Sequence, residues 1–177
     1  MGGTIPIADA ETQALERLYD QLADRLHHFL TVRLGSRHDA DEVLQETFLR
    51  LVRQRSRLTR VESLPAYAFT VARNEASRYL QKTQRQSSRL GEMIPVDDLY
   101  VTTPGPDSDE AEIIAQALAS LSPPQREVVE LKIYGELTFR EIADVTQLAQ
   151  GTVASRYRVA LQHLSKTLSR VFDEPAK

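Results

Sequence analysis

Four basic residues near the middle of the chain recur at the spacing of one helix face. Their offsets are 0, 4, 7 and 11, which puts all four side chains on the same side of an α-helix. These residues are Arg78, Lys82, Arg85 and Arg89. A line of guanidinium and ammonium groups can follow the phosphates of a nucleic acid strand. The simpler alternative is a charged face that only meets solvent.

Aromatic and further basic residues precede this basic stripe in the sequence. Phe69 lies on the same predicted helix, and the loop at residues 56–63 contains Arg57 and Arg60. Cations for phosphates, together with flat rings for unstacked bases, are the combination that binds single-stranded DNA. Because Tyr67 falls at a predicted core position, Phe69 and the loop are the preferred candidates for contacting bases.

A second candidate nucleic-acid element lies near the end of the chain. Ser122 and Thr138 are each followed three residues later by Gln or Glu, the pattern of a capping box, and Gly135 between them is expected to end a helix in the left-handed conformation. An amphipathic helix follows at about 151–169. The polar first turns of such a helix can enter a major groove, as in a helix-turn-helix. Spacing alone fits an ordinary surface helix equally well.

An earlier predicted helix carries an acidic and polar stripe that contains one leucine. Its members have offsets of 0, 3, 4, 7 and 11, and they are Glu42, Gln45, Glu46, Leu49 and Arg53. An apolar residue among carboxylates suits contact with a basic partner helix. A solvated face with one tolerated leucine is the simpler alternative.

The elements that must position these residues follow from apolar periodicity. Helices are predicted in the first half of the chain at about 14–34, 39–55 and 63–84. Residues 86–110 lose this periodicity and gather proline, glycine and acidic residues, which is typical of a linker. The predicted fold class is all-α, with two small helical domains at 12–85 and 111–170 joined by a flexible acidic linker.

Charge and composition narrow the classes of function. The net charge is −3, yet residues 49–90 carry ten basic and two acidic residues, and binding to a polyanion depends on this local field. The chain has no cysteine, and its four histidines lack metal-ligand spacing, so we expect no zinc site and no disulfide. No glycine-rich phosphate loop or nucleophile motif favours an enzyme, and no cofactor is expected. Without a signal peptide or a membrane-spanning segment, the protein is expected in the cytoplasm.

Taken together, these residues resemble the bacterial RNA polymerase sigma factors of the extracytoplasmic-function (ECF) type. Three segments carry the resemblance, in the family's order. The helix that binds the polymerase clamp is matched by DADEVLQETFLRLVR, and the minus-10 and melting segment by LPAYAFTVARNEASRYLQKTQR. The minus-35-reading domain is matched by LSPPQREVVELKIYGELTFREIADVTQLAQGTVASRYRVALQHL.

The resemblance implies a transcription initiation factor that binds core RNA polymerase, recognises two promoter elements and melts DNA. The implied polymerase contacts are Asp41, Glu42, Gln45, Glu46 and Leu49. The implied DNA contacts in the first domain are Arg57, Arg60, Phe69, Arg73, Asn74, Arg78, Lys82 and Arg85, with loop 56–63 holding a flipped base of the non-template strand. The implied contacts to the minus-35 duplex are Arg140, Thr152, Ser155, Arg156 and Arg158.

The implied partners are core RNA polymerase, promoter DNA as duplex and as non-template single strand, and an anti-sigma factor or other regulator, with no insertion into a membrane. Several residues depart from the family pattern. Gln147 stands for the usual turn glycine, Ala149 for a common capping serine and Tyr67 for a frequent tryptophan. Positions that are often basic hold Ala154, Val159 and Gln162. The missing cap is expected to weaken the start of the recognition helix by roughly 1 kcal/mol. A helix-turn-helix regulator that binds duplex DNA without polymerase is the alternative function.

Overall fold

The computed structural model of the chain describes residues 7–58, 60–89 and 109–173, and every regular element in these ranges is helical. The helices are α1 (Ile7–Leu34), α2 (Arg37–Arg53), α3 (Arg55–Leu58), α4 (Leu64–Arg89), α5 (Asp109–Ala119), α6 (Pro123–Ile133), α7 (Phe139–Thr146) and α8 (Gln150–Asp173). The predicted all-α fold is confirmed. The predicted linker at 86–110 falls largely outside the described residues, and α4 continues through the first residues assigned to it.

Helices α1 to α4 form the part of the molecule that we call the front bundle. The apolar stripe of α1 is buried through Leu18, Leu22 and Leu26, as periodicity predicts. Gly35 ends α1 with a φ of 70°, and the Asp39 amide donates to the Ser36 hydroxyl at 3.2 Å to cap α2. One prediction was wrong: residues 55–58, expected as the end of one helix and the start of a loop, form the separate short helix α3.

Helices α5 to α8 form the rear bundle, whose two predicted helix starts are both observed. The Thr138 amide donates to Glu141 Oε2 at 2.8 Å, and the Glu141 amide donates to Thr138 Oγ1 at 3.2 Å, which is a complete capping box for α7. At the start of α6, the Ser122 amide donates to Gln125 Oε1 at 3.3 Å. These local hydrogen bonds fix where α6 and α7 begin. Both helices precede α8 along the chain, which is the order of a helix-turn-helix.

The turn after α6 differs from the prediction for Gly135. This glycine does not take the left-handed conformation, which falls instead on Glu136 with a φ of 50°. Glycine is required for space: a Cβ atom here would lie 2.5 Å from the Leu131 carbonyl oxygen and 3.0 Å from the Phe69 ring. The turn residue Gln147 is left-handed with a φ of 58°, and its side-chain amide donates to the Asp144 carbonyl at 2.6 Å.

The front and rear bundles pack against each other through a shared hydrophobic cluster, and a second, smaller cluster lies within the rear bundle. Helix α1 contacts α6, and α4 contacts α7. Phe29 and Phe69 of the front bundle belong to the same buried cluster as Leu131, Leu137 and Ile142 of the rear bundle. The prediction of two domains on a flexible linker did not include this contact, because a sequence pattern shows which face of a helix is apolar but not what covers it.

Candidate functional site

The five predicted polymerase contacts share one exposed face of α2, which we call the α2 face. The opposite side of this helix buries Ala40, Val43, Thr47 and Leu51, so the residues between them must point outward. The α2 face consists of Asp41, Glu42, Gln45, Glu46 and Leu49, all exposed. Leu49 leaves 40% of its surface open amid three carboxylates. The face therefore combines negative charge with an exposed apolar residue.

Sequence reasoning missed an aromatic residue beside the α2 face. Tyr19 of α1 is 54% exposed, and its ring lies 4.8 Å from that of Phe48, the neighbour of Leu49 in sequence. No local pattern identifies it, because Tyr19 belongs to a different helix and reaches α2 only through the packing of α1 on α2. An exposed tyrosine next to an exposed leucine enlarges the apolar part of the surface.

The basic stripe of α4 is exposed to solvent. Arg78, Lys82 and Arg85 line a shallow groove of about 340 Å³, and Asn74 lies exposed one turn earlier. Arg78 pairs with Glu75 at 2.7 Å, and the same carboxylate oxygen also pairs with Arg50 Nε at 2.9 Å. The stripe is therefore available to a polyanion. The Arg89 side chain lies outside the described residues.

Further exposed positive charge lies just before α4. Arg57 in α3 and Arg60 in the turn after it are both exposed. They share the front bundle with the basic stripe, as predicted, although α3 replaces part of the expected loop. Together they place positive charge at both ends of the segment that the resemblance assigns to minus-10 DNA.

The structure contradicts the prediction that Phe69 contacts bases. Its ring is fully buried, with a centroid 5.4 Å from that of Phe29 and the Arg25 guanidinium above it at 5.8 Å. The Arg25 Nε group donates to the Gly135 carbonyl at 3.1 Å, so the turn after α6 closes over this ring. Phe69 is covered because α4 is packed on two sides, by the front bundle and by the rear bundle. Tyr67, predicted to be in the core, is only half-buried.

Arg73, another predicted DNA contact, is engaged by the rear bundle. Its Nε lies 2.9 Å from Glu127 Oε1, and its Nη2 lies 3.2 Å from Oε2 of the same carboxylate. A guanidinium that forms two parallel bonds to a carboxylate is in the geometry it would use for a phosphate. In this conformation the side chain therefore holds α6 instead of a nucleic acid strand.

Arg73 belongs to a group of charged residues between the bundles that we call the interface ion cluster. Its members are Arg33, Arg73, Arg126, Glu127 and Glu130. Arg33 lies 3.0 Å from Glu127 and 3.3 Å from Glu130, and Arg126 lies 2.7 Å from Glu130. Arg33, Arg126 and Glu130 are buried. Three guanidiniums thus neutralise two carboxylates at the contact of α1, α4 and α6.

Sequence reasoning missed most of this cluster, although a signal was present. Arg33 continues the apolar stripe of α1 at a position where Leu22, Leu26 and Phe29 predict another core residue. Glu130 lies among Val128, Val129 and Leu131, all of which are buried. A charged residue at a core position is rarely buried without a partner, so each of them predicts an ion pair.

The two carboxylates of the cluster titrate in opposite directions. Burial raises the pKa of Glu130, and the charges of Arg33 and Arg126 offset this only in part. Burial also acts to raise the pKa of Glu127, but hydrogen bonds and charges from Arg73 and Arg33 outweigh it and hold that pKa below the usual value. Glu127 is therefore the carboxylate whose negative charge the cluster stabilises.

The outward face of α8 carries most of the predicted duplex contacts. Val153, Ala160 and Leu164 are buried on the inner side of α8. Thr152, Ser155 and Arg158 are exposed on the outer side, and Arg156 is half-buried. Arg140 of α7 is exposed and pairs with Glu62 at 3.1 Å. With Arg140 on α7 and the others in the first turns of α8, the arrangement suits docking in a major groove.

The capping position of α8 is occupied by Ala149, as predicted. The amides of Thr152 and Val153 donate to the Ala149 carbonyl at 2.9 and 3.1 Å, and no side-chain oxygen is available at this residue to cap the helix. Helix α8 nevertheless begins at Gln150, directly after the left-handed turn. The departure from the family pattern therefore leaves the helix start at its expected place.

Across residues 7–58, 60–89 and 109–173, no group of histidine and carboxylate side chains could hold a metal ion. Over the same ranges, no helix is long and apolar enough to cross a membrane. Neither observation assigns chemistry to the molecule, so the exposed faces of α2, α4 and α8 remain the candidate functional surfaces.

Comparison with known proteins identifies two matching regions and several relatives. Residues 18–86 match Sigma-70 region 2, and residues 111–164 match Sigma-70, region 4. The ECF RNA polymerase sigma factor SigL of Mycobacterium tuberculosis H37Rv is 32% identical over 172 residues, which cover 93% of this chain and 94% of SigL. The ECF RNA polymerase sigma factor RpoE of Cereibacter sphaeroides is 30% identical, with 88% of this chain and 87% of that protein covered.

A longer relative and two solved structures agree with these matches. The ECF sigma factor BldN of Streptomyces coelicolor is 27% identical, and the match covers 94% of this chain but 63% of BldN. The sigma factor RpoE from Bartonella quintana, solved with the anti-sigma factor NepR, has a TM-score of 0.72 and 21% identity, with 89% of this chain and 98% of that chain covered. CnrH, solved with the cytosolic domain of CnrY, has a TM-score of 0.64 and 22% identity, with 92% and 94% covered. At these identities the two structures show a shared fold.

Proposed function

This chain belongs to the ECF group of RNA polymerase sigma factors, and we propose from that premise how its surfaces divide the work of transcription initiation. The presence of both region 2 and region 4 supports this role over a regulator that binds duplex DNA without polymerase. The family consists of transcription initiation factors, so we propose no catalytic step. The proposed place of action is the bacterial cytoplasm, where polymerase and chromosome meet.

The α2 face is the proposed contact with core RNA polymerase. What supports it is one juxtaposition: three carboxylates and one amide lie within about two turns of Leu49, which is 40% exposed, on a single helix side. Such a surface fits a helix with basic residues around an apolar anchor. Tyr19 extends the apolar part of the surface. We place this role in a front domain at residues 12–85.

The basic stripe of α4, with Arg57, Arg60 and Asn74, is the proposed contact with minus-10 DNA. Its support is exposure: the described cations of the stripe line one groove and face solvent. Arg73 would join this surface only after it leaves Glu127. The flipped non-template base is assigned to the segment at 56–63, since the structure buries Phe69.

The outer face of α8, with Arg140 of α7, is the proposed contact with the minus-35 duplex. Thr152, Ser155, Arg156 and Arg158 lie in the first turns of the helix, where side chains can reach base edges. We assign this role to a rear domain at 111–170, tethered through residues 86–110. An anti-sigma factor is a proposed further partner, as the structural neighbour RpoE of Bartonella quintana was solved with the anti-sigma factor NepR.

Reconstitution of transcription tests the proposed function directly. The purified chain, added to core RNA polymerase, is expected to give transcripts that start at specific positions on genomic DNA fragments. Core enzyme alone should give none at these positions. Failure to bind core enzyme, combined with binding of duplex DNA by the chain alone, would favour the regulator instead.

A double variant tests the α2 face itself. Glu46→Lys combined with Leu49→Ala reverses one charge and removes the exposed apolar residue, so affinity for core enzyme should fall by at least a hundredfold. The control is Asp144→Lys, which reverses an exposed charge on α7. Binding measured by fluorescence anisotropy should separate the two variants. Equal affinity of the double variant and the unmodified chain would remove the α2 face from the proposal.

A further inference from the structure

A cavity of about 480 Å³ lies where the front and rear bundles meet. Arg33 of α1 and Arg73 of α4 form one wall, and residues of α6, of the end of α7 and of α8 form the other. Its volume falls in the range of small-molecule sites. Two of its lining residues, Arg73 and Arg156, are proposed DNA contacts, but none of the proposed contacts fills the cavity itself.

The walls of the cavity carry an excess of positive charge. Arg126 and Arg156 join Arg33 and Arg73, so four guanidiniums line the space. Among the described lining residues only Glu127 and Glu130 are acidic. Two positive charges therefore stay unbalanced even when both carboxylates are ionised. Two partly enclosed positive charges favour an occupant with two negative charges.

The arginines differ in the hydrogen-bonding capacity that they retain. The Arg33 side chain is only 9% exposed, both of its Nη groups donate to Glu127 and Glu130, and its Nε atom has no accessible surface toward the cavity. Arg156 is half-buried and forms no ion pair with any described residue. Donors that are shielded from water in native proteins are almost always satisfied by protein, water or ligand. The Arg156 guanidinium is therefore available to an acceptor in the cavity.

Guanidinium groups select the chemistry of that acceptor. Their planar fork pairs with the oxygens of phosphate in two parallel hydrogen bonds. Arg33 and Arg73 contact the same Glu127 oxygen, so their cationic groups already lie side by side. We propose that the cavity between the bundles binds a small phosphate-bearing anion, a phosphate monoester or a diphosphate, through hydrogen bonds from Arg156 and the positive charge of the neighbouring arginines.

Such a ligand would stabilise the packed arrangement of the two bundles. It lies between Arg156 of the rear bundle and the charges of Arg33 and Arg73 in the front bundle, and these groups line one cavity only while the bundles are together. A ligand that binds one conformation better shifts the population toward it. Because Arg156 is also a proposed duplex contact, the bound anion competes with promoter DNA. The binding step itself does not depend on the proposed role in transcription.

Isothermal titration of the full chain with inorganic pyrophosphate, at constant ionic strength, tests the proposal. We expect saturable binding of one pyrophosphate per chain. Arg156→Ala should weaken the affinity at least tenfold. The matched control is Arg158→Ala, which removes the same charge two residues further along α8 but from an exposed position outside the cavity. Its affinity should stay within twofold of the unmodified chain, and circular dichroism checks that both variants keep their helices.

A duplex oligonucleotide distinguishes a free phosphate compound from the phosphates of DNA. Both arginines are proposed duplex contacts, so both variants should lose affinity for duplex DNA, whereas only Arg156→Ala should lose affinity for pyrophosphate. Equal loss of pyrophosphate binding in the two variants would mean that pyrophosphate occupies the DNA surface, and the cavity site would be refuted. Absence of saturable binding to the unmodified chain would refute it as well, without bearing on transcription.

Discussion

Arg73 of α4 and Glu127 of α6 form a two-pronged ion pair across the contact between the bundles, with N–O distances of 2.9 and 3.2 Å. The resemblance to ECF sigma factors assigns Arg73 to minus-10 DNA. The fork formed by Nε and Nη2 cannot hold a carboxylate and a phosphate at the same time. For Arg73 to use this fork on DNA, the contact between α4 and α6 must open at least locally.

Removing the charge of Glu127 should shift the chain toward separated bundles. Glu127→Gln keeps the size of the side chain but weakens its bonds to Arg33 and Arg73, at a cost of about 1.5–3 kcal/mol for charged hydrogen bonds. That corresponds to roughly a tenfold or larger change in the ratio of separated to packed molecules. Because the chain has no cysteine, dyes on introduced Asp20→Cys and Gln162→Cys can report the separation by energy transfer.

The control for this prediction is Glu136→Gln, which also removes an ion pair between the bundles. Glu136 lies 3.5 Å from Arg25 and its side chain is 68% exposed, so we expect a change of only about 0–1 kcal/mol. Energy transfer should fall clearly in Glu127→Gln and hardly at all in Glu136→Gln. If both variants keep the efficiency of the parent, Glu127 does not hold the bundles together.

The two carboxylates of the interface ion cluster should give pH dependences of opposite sign. The pKa of Glu127 is lowered by Arg73 and Arg33 against the effect of burial, so its contribution to stability is present above the usual pKa of 4.5 and is lost as pH falls through the lowered value. The pKa of Glu130 is raised by burial, so the unfolded chain loses this proton at a lower pH than the folded chain does. The stability of the folded chain should therefore fall as pH rises from 4.5 toward the raised value.

Difference curves isolate these two groups from the other carboxylates. The free energy of unfolding, measured by urea between pH 3 and 8, is compared between the parent chain and each single variant. The advantage of the parent over Glu127→Gln should shrink as pH falls below 4.5. The free energy of unfolding of the parent, relative to that of Glu130→Gln, should instead decrease as pH rises above 4.5. Two curves with the same slope would show that the cluster does not separate the two pKa values.

Loss of the basic stripe should make promoter opening less sensitive to salt. Arg78→Ala with Lys82→Ala removes two proposed phosphate contacts, and each contact to a single strand contributes about 0.7 to the slope of log K against log salt. We expect the slope for open-complex formation to fall by about 1.4. Arg17→Ala with Arg37→Ala removes two exposed charges outside the proposed DNA contacts and should leave the slope unchanged. A slope unaffected by the first pair would mean that the stripe only meets solvent.

Two glycines should respond in opposite ways to alanine. At Gly135 a Cβ would lie 2.5 Å from the Leu131 carbonyl oxygen and 3.0 Å from Phe69, so Gly135→Ala should destabilise the chain by about 1–3 kcal/mol. At Gly151, in the first turn of α8, nothing lies within 4 Å of the added atom, and Gly151→Ala should be neutral or stabilising by about 0.5–1 kcal/mol. Urea titration measures both, and a tolerated Gly135→Ala would contradict the close approach of this turn to α4.

The basic stripe and the α2 face could be recognised from sequence because each lies on a single helix. The exposure of Arg78, Lys82 and Arg85 follows from periodicity once α4 is assigned. Their roles on DNA stay predictions, as does the role of the α2 face on polymerase. Gly135 shows the limit of local reasoning: it was expected to supply a left-handed residue, and it instead supplies room for Phe69.

By itself, the sequence determined most of the longer helices, their N-terminal caps and their outward faces, because hydrogen bonds within three or four residues and a period of 3.6 decide these features locally. Only the tertiary structure decided which predicted DNA contacts are covered. Arg73 meets Glu127 54 residues away, and Arg33 meets Glu130 97 residues away. Such pairs depend on how the two bundles pack, and packing is set by the summed burial of surfaces that no single helix pattern contains.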